Sequence, residues 1–299
     1  IIYSRQNDPA YYEDVSQTQI GTTAAGAPIF DFVAGSENYM LTNANTYGDG
    51  LAVSLIAKQR YDWGLDWSLG YAYTDQTDVS PMTSSVASSN FNNLALSSLV
   101  DPRAATSNYV SPHRFTARIS YAREFIPGHE TRITAFMFSK EGQPQSHVMS
   151  SSDLEGDQRF GRHLLYVPSP NGDDNVVIQP GFDTAGWNTF LKTNGYEQYA
   201  GGFVPRNARH TRWSNRMDLR IDQELPLFFG TQARAYLKIY NVLNMLNDSW
   251  GRQYDSYFYS QAVVTSSVDG DGRYVFENFR NRGLTDLREN ASLYEIRLG

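Results

Sequence analysis

The sequence predicts an all-β protein: a partial wall of a transmembrane antiparallel up-and-down β-barrel with long extracellular loops. Three observations predict it, namely period-two alternation in long segments, short turns opposed to long loops, and abundant aromatic residues. Alternation is clearest over residues 213–247. Met217, Leu219 and Ile221 occupy one set of positions there, and Arg216, Asp218, Arg220 and Asp222 fill the other with charge. After a short Leu-Phe-Phe-Gly turn, Ala233, Ala235, Leu237 and Ile239 alternate with Arg234, Tyr236, Lys238 and Tyr240. Successive strand side chains point to opposite faces, so each segment has one apolar and one charged face. A soluble sandwich turns its polar face to bulk water. A membrane barrel turns its apolar face to lipid and its polar face to a wet lumen.

The remaining elements follow in chain order. Segments 51–62 and 65–78 meet at Trp63-Gly64, with Val53, Leu55 and Ala57, then Leu65, Trp67, Leu69, Tyr71 and Tyr73, on the lipid side. A loop over 80–112, rich in Ser, Asn and Ala, follows. Segments 113–125 and 131–140 meet at Ile-Pro-Gly-His; Phe115, Ala117, Ile119 and Tyr121 point one way, and Arg114, Thr116, Arg118 and Ser120 the other. The longest loop, 141–211, carries Phe160, Tyr166, Phe182, Trp187, Phe190, Tyr196, Tyr199 and Phe203. Segments 251–266 and 272–282 read as a further pair joined at Val268-Asp-Gly-Asp-Gly272. A last segment, 292–299, alternates Tyr294, Ile296 and Leu298 against Glu295 and Arg297.

Roughly nine or ten strands result, long enough to cross a bilayer at a ~45° tilt. Such loops are out of place inside a compact domain, whereas barrels place short turns on one rim and long loops on the other. The charge-dense inward positions suit a wide lumen better than the side-chain-filled interior of a small barrel. The final strand ends at Leu298-Gly299 without a terminal aromatic, so residues 1–299 read as one part of a larger barrel domain.

Composition agrees. Twenty Tyr, sixteen Phe and five Trp supply the girdles that barrels place at both membrane interfaces. With 25 basic and 32 acidic residues the net charge is −7, which argues against a nucleic-acid partner. Mean hydropathy is −0.49, and no run approaches the ~20 apolar residues of a membrane helix. The absence of cysteine removes disulfides, thiolate catalysis and cysteine metal sites together. The start, Ile1-Ile-Tyr-Ser-Arg, has no signal-peptide pattern, and the sequence is read as beginning inside something larger.

At this point the residues carry a resemblance. Tyr240-Asn-Val-Leu-Asn-Met-Leu-Asn-Asp-Ser-Trp-Gly251 resembles the late-barrel motif of TonB-dependent outer-membrane receptors, built around an Asn-x-Leu-Asn turn. Arg162-His-Leu-Leu-Tyr-Val-Pro-Ser169, Arg206-Asn-Ala-Arg-His-Thr-Arg-Trp213 and Phe138-Ser-Lys-Glu-Gly-Gln-Pro144 resemble the Oar-like branch of that family. The similarity runs from about Leu51 to the C-terminus and rests on the order and spacing of these motifs. It implies a barrel of about 22 strands, of which this chain is the C-terminal part. It also implies a plug domain and a TonB box upstream, neither visible here, that couple to TonB–ExbB–ExbD. The expected setting is the bacterial cell outer membrane, with outer-membrane lipids around the wall and a surface lipoprotein or other outer-membrane protein as a further partner.

Candidate residues fall into three groups. Arg114, Arg118, Arg132, Arg216, Asp218, Arg220, Asp222, Arg234 and Lys238 are expected to line the lumen as facing rows of opposite sign. They serve either as a salt-bridge lattice or as a path that guides a substrate. In the longest loop, Trp187, Tyr196, Tyr199 and Phe203 are candidate ligand contacts, because aromatics dominate binding hot spots; the alternative is an Ω-like packing of the loop on itself. Asp269 and Asp271 have the oxygen-rich, Gly-turned look of a structural calcium loop, but the further EF-hand ligands are absent, and Asp-Gly is equally a hairpin signal. Residues 153–157 and 171–175 offer carboxylates of the same kind. His113, His129, His147, His163 and His210 include no i, i+4 pair, and no nucleophile elbow or P-loop appears, so no catalytic residue and no cofactor is expected. The expected function is active transport of a bulky ligand such as a peptide, protein segment or glycan. A passive porin or adhesive barrel is the alternative, and an enzymatic barrel would need a rim cluster that the strands do not offer.

Overall fold

The computed structural model describes residues 1–33, 35, 37–149, 153–226, 233–255, 260–280 and 286–299. Its largest element is a sheet, here the wall, in which eight strands follow one another. They are β1 (Ile2–Asn7), β2 (Tyr47–Arg60), β3 (Leu65–Asp78), β4 (His113–Ile126), β5 (His129–Lys140), β6 (Ser214–Leu225), β7 (Ala233–Tyr240) and β8 (Glu295–Leu298). Every neighbouring pair is antiparallel. A two-residue strand, Ala105–Thr106, pairs with the end of β3. Among the described residues β1 and β8 do not pair with each other, so the wall is an open sheet.

Turn chemistry explains how the hairpins close. Between β2 and β3, Gly64 has φ +102°, and a Cβ there would strike the Ala122 carbonyl oxygen, so only glycine lets this turn lie against β4. Between β4 and β5, Pro127 precedes Gly128 at φ +79°, the residue order of a type II turn. The turn between β6 and β7 lies outside the described residues. These tight turns share one rim. Four excursions, 8–46, 79–112, 141–213 and 241–294, all leave from the other. No described helix is long and apolar enough to cross a membrane.

The expected strands over 51–62, 65–78, 113–125 and 131–140 are present in the wall, 292–299 gives a strand only over Glu295–Leu298 with Ser292 ending a short helix, and β1 adds one from the first fifty residues. The run from 231 ends as a strand at Tyr240; Asn241 takes φ +53°, and Val242–Leu246 forms a short helix. Two expectations are corrected. The described residues of 141–211 hold strands and a helix, and Ser260–Val268 with Tyr274–Phe279 are not wall strands, while 256–259 and 281–282 of that expected pair lie outside the described residues. Instead Pro144–Met149, Val176–Ile178, Arg209–His210, Ser260–Val268 and Tyr274–Phe279 build a second, mixed sheet. Pro144–Met149 runs parallel to Ser260–Val268, and Val176–Ile178 parallel to Tyr274–Phe279. The reason is visible at Val263 and Val264, which are adjacent yet both fully buried. A strand covered on both faces has none to offer to lipid.

This second sheet folds around its own core, which includes Met149, Leu165, Tyr166, Val264, Tyr274 and Phe276. The helix Thr184–Asn194 adds Trp187, Phe190 and Leu191 from one face. The Asp183 carboxylate caps it by accepting the Gly186 N–H at 2.8 Å, and Gly195 at φ +67° ends it. The excursion 8–46 contributes the pair Ala10–Asp14 and Tyr39–Asn43 and the hairpin Gln17–Thr22 with Pro28–Phe32. Together the four excursions form a cap on one rim of the wall.

Candidate functional site

Register makes the wall two-faced. Trp67, Ile119, Ala135, Leu219, Ile239 and Ile296 stand side by side across six strands. Next to them run Leu65, Tyr121, Ile133, Ile221, Leu237 and Leu298. Leu55, Leu69, Phe115, Ile119 and Ile296 on this face are all exposed, an apolar surface far broader than scattered exposed residues would give.

The opposite face carries all of the predicted lumen residues. Arg216 pairs with Asp218 at 2.9 Å, Arg220 with Asp222 at 2.6 Å and Arg234 with Glu224 at 2.8 Å. Arg118 pairs with Asp66, and Arg132 reaches Glu130 at 2.9 Å and Asp66 at 3.8 Å. Lys238 lies 4.0 Å from the Tyr240 ring centre, and Arg114 is exposed opposite Ala72 and Lys140. One expectation changes. The charges form facing rows of opposite sign only in places: Arg132 faces Asp222 and Arg234 faces Glu224, whereas Arg220, Lys238 and Arg297 are like-charged cross-strand neighbours. Compensation runs along the strands as well as between them: Arg216–Asp218, Arg220–Asp222 and Arg297–Glu295 are each two residues apart, whereas Arg234–Glu224 and Arg118–Asp66 join neighbouring strands. Exposed pairs contribute only ~0–1 kcal/mol each, so their main effect is to cancel the field of the face. Ile56, Phe136 and Phe138 also stand on it, so it is not uniformly polar.

Aromatic clusters bracket the apolar face. At the tight-turn rim Tyr61 meets Trp63 at 5.7 Å, and Trp63 meets Tyr121 at 5.9 Å. At the cap rim Tyr73 meets His113 at 5.3 Å, and Trp213 stacks on His113 at 6.3 Å and Phe115 at 6.1 Å. Trp63 and Tyr73 are ten residues apart. At ~3.4 Å per residue and a ~45° tilt, that is ~24 Å of height.

The cap holds a cluster that the sequence does not announce. The loop 153–163 is nucleated by Asp153, whose carboxylate accepts the N–H groups of Glu155, Asp157 and Gln158. It projects Glu155, Asp157, Arg159 and His163 into the interior, each at most 1 % exposed. Arg159 lies 2.6 Å from Asp157 and 3.6 Å from Glu155, and His163 lies 3.2 Å from Asp157. Burial pushes the Glu155 carboxyl up to about 7, with Arg159 and His163 offsetting only part of that push. Burial also pushes Asp157 up, but Arg159 and the His163 hydrogen bond outweigh it and hold that carboxyl below its usual range. The loop touches every excursion. Tyr274 donates to Glu155 at 3.3 Å, Arg159 to the Leu94 carbonyl at 3.0 Å, and Gln17 to the Asp157 carbonyl at 3.1 Å. The Phe30 N–H donates to the Glu155 carbonyl at 2.7 Å.

Asp153, Asp157 and His163 bring ligand atoms within 4.8 Å of one another. Arg159 already supplies a cation to Asp157, and the Asp153 oxygens accept backbone N–H groups, so Asp157 and His163 belong to an ion-pair hub with Glu155 and Arg159 while Asp153 holds the loop. The calcium loops expected elsewhere are also internally satisfied. Asp269 accepts Arg273 Nε at 2.8 Å, and Asp271 pairs with Arg273 at 3.0 Å, which makes 268–272 a hairpin turn. Asp173 accepts the N–H groups of Ser169 and Asn175 and the Tyr166 hydroxyl.

The candidate ligand aromatics take the packing alternative. Trp187 and Tyr196 are 3 % and 1 % exposed, and Tyr199 and Phe203 pack against the same core. Trp187 stacks on Phe190 at 5.8 Å. The Tyr196 hydroxyl hydrogen-bonds His147 Nδ1 at 2.5 Å; burial, and then the Arg209 charge, push that imidazole down to about 3. Asp183, Gly195 and the i, i+3, i+4 spacing of Trp187, Phe190 and Leu191 are a helix signature. It was readable in the sequence, and an all-β expectation passes over it. No protein-family model, no curated protein and no solved structure matches this chain.

Proposed function

We propose that this chain forms wall and external cap of a bacterial outer-membrane, TonB-dependent transporter for a bulky ligand such as a peptide, protein segment or glycan. The observation that carries the reading is the two-faced wall with every long excursion on one rim. An exposed apolar face spanning six strands is costly in water and is what lipid requires. The ~24 Å between aromatic clusters compares with the ~25 Å apolar band of outer-membrane barrels. The charged face suits a lumen, where paired ions stay hydrated. Capture belongs to the outer surface of the cap in this reading, since its aromatic core is closed, and energy coupling belongs to plug and TonB-box segments of the same transporter.

The chain has no cysteine, so single cysteines report cleanly. In outer-membrane vesicles Ser68→Cys on the charged face is expected to react with a water-soluble maleimide, and Ile119→Cys on the apolar face to resist it. Equal labelling of both positions would refute the membrane wall. Ligand uptake that survives loss of TonB, with labelling as expected, would instead favour a passive or structural barrel.

A further inference from the structure

Two cavities on the apolar face share Met137 as a common wall. The first, of about 430 Å³, crosses the strands β2 to β5. It exists because Ala57 and Ala117 flank Leu69 in one cross-strand row that runs on to Met137, and their short side chains leave a trough between Leu55, Phe115 and Met137. The second, of about 310 Å³, lies at the cap rim between Trp213, Trp250, Arg252 and Tyr254. Phe115 of the trough stacks on Trp213 of the rim cavity at 6.1 Å and 28°, so the apolar lining continues from one to the other.

The rim cavity differs from the rest of the wall in its charge. Arg212 lies over the Tyr254 ring at 5.2 Å and donates to its hydroxyl at 3.5 Å. Arg252 donates through Nε to the Asp248 carbonyl at 2.9 Å. On the charged face most guanidiniums have a carboxylate beside them, whereas among the described residues neither of these two has one. Arg252 and, through Tyr254, Arg212, both without a carboxylate partner among the described residues, therefore stand with three aromatic rings at the mouth of an apolar trough. An anionic group joined to a hydrocarbon chain complements both parts, with bidentate hydrogen bonds at one end and apolar burial at the other.

We infer that the trough and the rim cavity together bind one anionic membrane lipid, its acyl chain along Ala57, Leu69, Ala117 and Met137 and its phosphate between Arg212 and Arg252. This inference rests on the reading of the wall as membrane-embedded. The test uses the natural polypeptide reconstituted into bilayers of equal parts phosphatidylglycerol and phosphatidylcholine, extracted into mild detergent and weighed by native mass spectrometry. One phosphatidylglycerol is expected to stay with each chain, preferred over phosphatidylcholine roughly thirtyfold, the scale that two cationic contacts give. The double variant Arg212→Gln with Arg252→Gln is expected to bring that preference near parity. Ala117→Trp, which fills the trough, is expected to lose both lipids. An inserted chain that retains the two lipids equally, or a double variant that retains phosphatidylglycerol like the parent, overturns the site alone. A chain that never enters the bilayer overturns the site together with the wall reading.

Discussion

The Tyr274 hydroxyl donates to the Glu155 carboxylate at 3.3 Å across 119 residues of sequence, inside a part of the cap where neither side chain reaches solvent. That contact joins the last excursion to the one before it, at the point where the other two also meet the 153–163 loop. A cap clasped at one charged hub should respond to protonation there.

Two buried groups of the cap, Glu155 in the hub and His147 beside Tyr196, give its pH response opposite signs. Glu155 is raised from 4.5 to about 7, so its stabilising contribution is present below pH 4.5 and lost as pH rises toward 7. His147 is lowered from 6.5 to about 3, so its contribution is present above pH 6.5 and lost as pH falls toward 3. They amount to about 3 kcal/mol for Glu155 and about 5 kcal/mol for His147 in order of magnitude. Between pH 4.5 and 6.5 they oppose each other, and the parent cap is expected to hold nearly constant stability there. Glu155→Gln should lose stability on acidification across that window, and His147→Phe should gain it. Urea titrations followed by near-UV circular dichroism read the slopes; a flat Glu155→Gln profile would remove Glu155 from the account.

Arg206 is buried and spans two excursions. It donates to the Asp78 carboxylate at 2.6 Å and to the Val79 carbonyl at 2.9 Å, with a further bond to the Asp78 carbonyl. Arg206→Met should destabilise the cap by about 3–5 kcal/mol, because Asp78 then keeps a buried charge without its partner. Arg206→Lys should rescue little, since one ammonium cannot reproduce the fork. Proteolysis within 79–112 gives the readout, and a lysine variant as resistant as the parent would show that charge alone suffices.

The two faces of the wall should tolerate charge differently. Ile119→Arg is expected to cost ~2–4 kcal/mol in refolding into lipid vesicles. Phe136→Arg, opposite Asp218 on the other face, should stay within ~1 kcal/mol of the parent. Similar penalties for both would mean that the faces do not see different solvents.

Trp187 offers a check on the aromatic core. Trp187→Ala should cost the cap about 3–5 kcal/mol, with Trp187→Phe recovering part of the loss. A Trp187→Ala protein with unchanged thermal stability and weakened ligand binding would return this residue to the recognition surface.

Much of the wall was legible because its strands are covered by unlike surroundings on their two faces. Met217, Leu219 and Ile221 against Arg216, Asp218 and Arg220 record that difference directly. Ser260–Val268 records nothing of the kind. Val263 and Val264 are both buried, a bulge interrupts pairing after Thr265, and the turn at Asp269 marks a hairpin without saying which sheet it joins. The hub was illegible for another reason. Glu155, Asp157 and Arg159 look like solvated loop charge, and only the folded chain brings Leu94, Phe30 and Tyr274 around them. The tilt toward barrel strands also hid the helix around Trp187, whose caps were in plain view.

The two-residue spacing of Arg216 with Asp218, and of Arg220 with Asp222, bears on how the wall could be assembled. A segment with its counter-ion on its own backbone is neutral before any neighbour arrives. Arg234 and Glu224 extend this to a hairpin, since both belong to β6 and β7. In the membrane-wall reading proposed above, insertion then proceeds one hairpin at a time, with little bare charge carried past hydrocarbon at intermediate stages. Joints between hairpins, such as Arg118 and Arg132 on Asp66, would lock in later. In that reading, substitutions at Asp66 should slow the joining of neighbouring hairpins and leave the formation of each hairpin alone.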